Sequence, residues 1–238
     1  MRFKNILPAV LLVFSLQVDA QDEILKYGTN KELCEQNLSI YTEFYKQKNY
    51  EDAYKPWVYL FNNAPKRTKN IYLHGPKIIK GILKTISDAN RKEGLVDSLL
   101  MVYDQRSQHY GGQEAYVMGL KGADAYKFKK DSIQGIKEAY NILEEAFKLG
   151  GNTTKSRIIS NYFVASTKLL NAKELKIEDL LNLFSDLSSV ISYKEIQLSQ
   201  DIFNAEQKDS PTKKEQKARK KNKEEKDNLL IAKTNLEK

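Results

Sequence analysis

The chain is poor in the residues that carry most enzyme chemistry. Its 238 residues include one Cys and two His. A His/Cys zinc site needs three or four such ligands, and a nucleophilic Cys needs a His nearby in the fold, so both chemistries have little raw material. A lone Cys cannot close an intrachain disulfide, which excludes a disulfide-stapled miniprotein. The 11 Gly and 5 Pro are too few for collagen-like or low-complexity chains, and they leave long uninterrupted stretches. The longest apolar run, residues 6–16, is shorter than the roughly 20 residues a membrane-spanning helix needs. Gly-rich phosphate loops, a nucleophile elbow and an HExxH motif are all missing. Aromatics, in contrast, make up 10% of the chain, too many for a wholly disordered protein. The length allows one or two domains with a sizeable core.

The first twenty residues read as an address. Arg2 and Lys4 precede the apolar run, and Val18-Asp19-Ala20 places small or modest side chains where a signal peptidase reads. This predicts a secretory signal over 1–20, cut between Ala20 and Gln21. No Cys follows the cut, so a lipoprotein anchor is not supported. The expected localisation is exported, periplasmic or outer-envelope associated.

Beyond the address, helical spacing dominates and no strand-like alternation lasts. Cys34, Leu38, Tyr41 and Tyr45 share one face over 31–46. Ala53, Trp57, Leu60 and Phe61 do so over 51–62, with Asn49 as cap and Ala64-Pro65 as stop. Ile78, Leu83 and Ile86 mark a third helix. Leu95, Leu99, Val102 and Tyr103 mark a fourth, ending near Gly111-Gly112. Further helices are predicted over 116–128, 133–149, 153–171 and 177–191, the second of these stopping at Gly150-Gly151. Ile196 and Phe203 extend the pattern toward a ninth. Short connections favour antiparallel neighbours.

Residues 40–65 read IYTEFYKQKNYEDAYKPWVYLFNNAP. This stretch resembles a tetratricopeptide repeat (TPR), a helix-turn-helix unit. The resemblance makes Ile40 and Phe44 inner positions of a first helix and Tyr50 the turn residue. Ala53 becomes the small residue at the helix crossing, Trp57 and Leu60 the packing positions, and Pro65 the terminator. A small side chain lets two helices approach, and large residues one turn on fill the space beside it. A partial second match places Ala139, Leu143 and Ala146 where Ala53, Trp57 and Leu60 stand. Between the two, 71–110 reads as an irregular hairpin with Gly75 at a small-residue position. The expected fold is all-α: antiparallel helical hairpins stacked as a TPR-like solenoid over 21–205, followed by a charged helix.

That last segment, 206–238, holds 11 of the 39 Lys and Arg but only 7 of the 31 Asp and Glu, so half the +8 net charge sits there. Leu229, Ala232 and Leu236 supply one good heptad, short of the three or four a coiled coil needs. A solvated, charge-paired helix or a frayed end is the plainer expectation. Its Lys-rich part lacks interleaved aromatics for base stacking, so nucleic acid is not an expected partner. Envelope polyanions are the available counter-charges.

The TPR resemblance implies protein or peptide binding in a concave groove rather than catalysis. Thr42, Tyr45 and Lys46 are the groove candidates of the first repeat, joined by Lys77 and Lys80 from the next first helix. No cofactor or metal is expected. His74 and His109 read as turn or surface residues, and Glu144-Glu145 and Asp104/Arg106 as helix-surface charge. The expected role is a non-catalytic scaffold or assembly factor of a bacterial cell envelope. The alternatives are an oligomerisation protein acting through its basic helix, or an envelope enzyme or lipid carrier. The last would need a deep pocket with convergent polar groups.

Overall fold

A computed structural model describes residues 21–207 and 210–237. The expected signal over 1–20, including Ala20, lies outside them, and Gln21 is the first described residue. Every regular element among the described residues is helical. None of these helices is long and apolar enough to cross a membrane. The chain divides into two compact units, Met1–Gly111 and Gly112–Lys238. Gly112, at the division, has φ of 84°, a left-handed conformation that glycine adopts without strain.

In the first unit, residues 21–27 are helical and precede α1 (Lys31–Lys46), α2 (Tyr50–Asn63), α3 (Asn70–Ile82) and α4 (Ala89–His109). Local chemistry explains the starts. Asn30, Asn49 and Asp88 cap α1, α2 and α4 by accepting backbone N–H bonds from the first turn. Ala64-Pro65 follows α2, as its spacing predicts. Consecutive helices pack against one another: α1 on α2, α2 on α3 and α3 on α4.

The core of this unit centres on Trp57, which is 1% exposed. Its indole N–H donates to the Ile71 carbonyl at 2.8 Å, and its ring stacks on Phe61 with centroids 5.1 Å apart. Gly75 makes this possible. A Cβ there would lie 2.5 Å from the indole ring, so any larger residue pushes α3 away from α2. Ala53, Leu60 and Pro65 are buried, while Phe44 and Tyr50 are half-buried.

Ile40 departs from its predicted inner position and is 39% exposed. The core-facing line of α1 instead runs through Cys34 and Tyr41, both essentially buried. Ile40 is one residue from Tyr41, which turns it about 100° away. Two other expectations are also corrected. Ile86 falls outside α3, which ends at Ile82, and Arg106 is buried on the inward line of α4 with Leu99, Val102 and Tyr103.

The second unit contains α5 (Glu114–Lys129), α6 (Ile133–Gly150), a 3-10 turn (Gly151–Thr153), α7 (Ser156–Asn171), α8 (Ile177–Glu206) and α9 (Lys213–Leu236). The seventh predicted helix therefore starts three residues late, because 151–153 form the 3-10 turn. Ile196 and Phe203 belong to the same continuous helix as Ile177. Helices α5 and α6 pack closely at Gly122, where a Cβ would lie 2.6 Å from Leu143. Ala139, Leu143 and Ala146 are buried in α6, at the positions the partial repeat assigns to packing.

The composition break at 206 is not a break in packing. Helix α9 starts with a capping box between Thr212 and Glu215. Its Leu229, Ala232 and Leu236 join one core with Leu143, Ile159, Tyr162 and Leu187. Burying each of those two α9 leucines is worth about 1.5–3 kcal/mol. The solvated helix expected for this segment is thus docked along α7 and α8. Charge assists: Lys233 pairs with Glu195, and Arg219 and Lys223 both reach Glu206.

Candidate functional site

The groove residues named from the sequence fall on α1 and α3 of the first unit. Two of them, Tyr45 and Lys77, meet at His74. The Tyr45 ring stacks on the His74 imidazole, with centroids 3.8 Å apart and planes 14° from parallel. Tyr41 meets the same ring edge-on at 6.0 Å, its hydroxyl 3.5 Å from Nδ1. Lys77 places its ammonium 5.9 Å from the Tyr45 ring centroid. A cavity of about 430 Å³ adjoins this cluster, with Thr42 and Lys46 in its wall beside Leu38, Ser39 and Asn70. Arg67 closes one end, holding Glu35 through two hydrogen bonds of 2.8 and 2.9 Å.

Thr42 and Lys46 thus line the cavity, whereas Tyr45 and Lys77 meet at His74 outside its wall, and Tyr41 touches both. Lys80 lies on α3 three residues beyond Lys77, half-buried and outside the cavity wall. His74 is the central residue that the sequence pattern does not mark. It has no second ligand at metal spacing, so it reads as a surface residue. The signal that finds it is positional, since it precedes Lys77 by three residues on the same helix face.

Burial and the nearby Lys77 ammonium push the His74 imidazole below its ordinary pKa. Burial raises the Tyr41 phenol. Hydrogen bonds from Arg67 hold the Glu35 carboxyl below the usual carboxylate range. The face thus presents a neutral imidazole between two phenols, with cations at its margin. Such a surface can stack on an aromatic or apolar side chain and attract a carboxylate. It offers no activated nucleophile, and no cluster of three metal-ligating side chains occurs among the described residues.

A pH effect follows. The unfolded chain takes up a proton on His74 near pH 6.5, whereas the folded chain does so only at lower pH. Between those values the unfolded state binds more protons, so stability falls as pH drops through that window. His109, also lowered by burial, adds to the effect in the same direction. His74→Gln is expected to reduce the loss of urea midpoint between pH 7 and pH 5, and a His74→Gln, His109→Gln pair to reduce it further. An unchanged pH slope in both variants would contradict the burial of these imidazoles.

No family model matches the chain, and no curated protein or solved structure matches it.

Proposed function

We propose that this chain is a non-catalytic binding scaffold, exported to a bacterial cell envelope, whose first unit is a TPR-like hairpin array. The observation that carries this reading is the Tyr45–His74–Lys77 cluster beside an open cavity. Stacked, half-buried aromatics flanked by cations supply the anchor and the charge of a peptide-binding hot spot. The partner is a protein segment with apolar or aromatic and acidic side chains. Export rests on the order of charge, apolar run and small residues in 1–20.

The oligomerisation alternative is less well supported. Its heptad residues Leu229, Ala232 and Leu236 are spent in the chain's own core. Lys213, Lys214, Lys217, Lys220 and Lys221 nonetheless stay exposed, which keeps a contact with envelope polyanions in the proposal.

Tyr45→Ala combined with Lys46→Glu tests the groove. Truncating an anchor of this kind costs about 2 kcal/mol of binding, roughly a thirtyfold loss. Partners captured from the native envelope by the wild-type chain are expected to be depleted with the variant, at a temperature where circular dichroism shows both chains folded. If every partner is retained at wild-type yield, the groove is assigned to the wrong face.

A further inference from the structure

The second unit contains a cleft of about 760 Å³, within the range of ligand pockets. Its floor is apolar and built mainly from small side chains: Gly119 and Ala123 of α5, Ala146 of α6, and the larger Ile158 of α7. Part of that smallness serves helix packing, since a Cβ on Gly119 would run into Ile158. The open volume remains after that packing is satisfied.

One corner of the cleft is polar and unfinished. Thr154, between the 3-10 turn and α7, is 4% exposed, and its buried hydroxyl has no hydrogen-bond partner. The hydroxyl lies against Gly150, where a Cβ would sit 2.6 Å from it and 3.5 Å from Ala115. All three residues line the cleft. A buried hydroxyl without a partner is a standing cost to the fold, which an incoming acceptor would recover.

The charges around the cleft decide the sign of that acceptor. Glu225 is already satisfied. It lies 3.3 Å from the Lys194 ammonium and accepts from the Ser156 N–H at 3.1 Å and the Ser156 hydroxyl at 2.9 Å. The start of α7 is thereby occupied by the chain's own carboxylate. Glu224 lies 4.0 Å from Lys220. Lys155, Arg157 and Lys221 line the cleft with no ion pair among the described residues. The surplus charge is positive.

We propose that this cleft binds a small amphipathic carboxylate. Its apolar body lies on the Gly119–Ala123–Ala146–Ile158 floor, and its head is directed to the Thr154 hydroxyl and to Lys155 and Arg157. The site is independent of the groove on α1 and α3, so either reading can fail while the other stands.

Decanoate, methyl decanoate and inorganic phosphate are the probes, titrated calorimetrically into the full chain. Decanoate is expected to bind one-to-one, and the neutral ester at least about tenfold more weakly, because it lacks the charge. Phosphate alone should give no saturation, because it lacks the apolar body. Ala115→Phe fills the corner and is expected to abolish binding. Arg157→Glu, an exposed change that keeps the fold, should weaken decanoate about tenfold or more. Thr154→Val should weaken it about tenfold, while a hydroxyl that serves only a trapped water would leave affinity unchanged. Absence of saturable decanoate binding up to about 1 mM overturns the proposal. So does wild-type affinity in both Ala115→Phe and Arg157→Glu.

Discussion

Trp57→Ala is expected to lower the unfolding free energy of the first unit by about 3–5 kcal/mol. Trp57 is 1% exposed and lies between Phe61, Tyr54 and the glycine gap at Gly75. Removing the indole leaves a cavity that the surrounding packed side chains fill only in part. Trp57→Phe separates packing from hydrogen bonding. It keeps most of the bulk and gives up the N–H donated to Ile71, a net loss of about 1 kcal/mol plus any loss of fit. Urea unfolding followed by far-UV circular dichroism reads both variants. The wild-type reference can use fluorescence, since Trp57 is the only Trp in the chain. A Trp57→Ala midpoint equal to wild type would refute the core described for this unit.

Glu225→Ala is expected to cost the second unit about 3–5 kcal/mol, the usual effect of removing one partner of a buried pair. Lys194 and Glu225 side chains are only 10% and 17% exposed. The substitution leaves the Lys194 ammonium without its counter-charge and takes the acceptor from the Ser156 N–H and hydroxyl. Adding Lys194→Met is expected to restore much of the loss, because the stranded charge is then gone. The experiment also discriminates between two pictures of 206–238. On a solvated helix, Glu225→Ala would change stability by no more than about 0.5 kcal/mol. Thermal unfolding of the single and double variants, measured side by side, gives the comparison.

Much of the helical framework is legible in the sequence. Asn49 sits where a cap is needed, Pro65 and Gly112 near where helices stop, and apolar residues recur at helical spacing. The small residues Ala53, Gly75 and Ala139 are also readable as close-approach points, because only a small side chain permits the approach. The groove is only partly legible. Tyr45 and Lys77 meet at His74, while Thr42 and Lys46 line the neighbouring cavity, and no local pattern marks His74. The repeat pattern misplaces Ile40 because it specifies a spacing, while the bulk of Tyr41 decides which neighbour turns inward.

The segment 206–238 shows the limit most clearly. Its excess of Lys and Arg suggests solvent, and its apolar residues, confined almost entirely to 229–236, are too few to announce a core. Whether Leu229, Ala232 and Leu236 are buried depends on a surface 27 to 69 residues earlier in the chain, where Glu195, Ser199 and Ser156 receive it. The cleft likewise gathers residues from five helices and the 3-10 turn. Local sequence therefore settles the helices and their ends, since those depend on hydrogen bonds and caps within four residues. The His74 cluster, the docking of α9 and the unpartnered Thr154 hydroxyl belong to long-range packing. Each of these depends on contacts between distant segments, for which no local spacing exists.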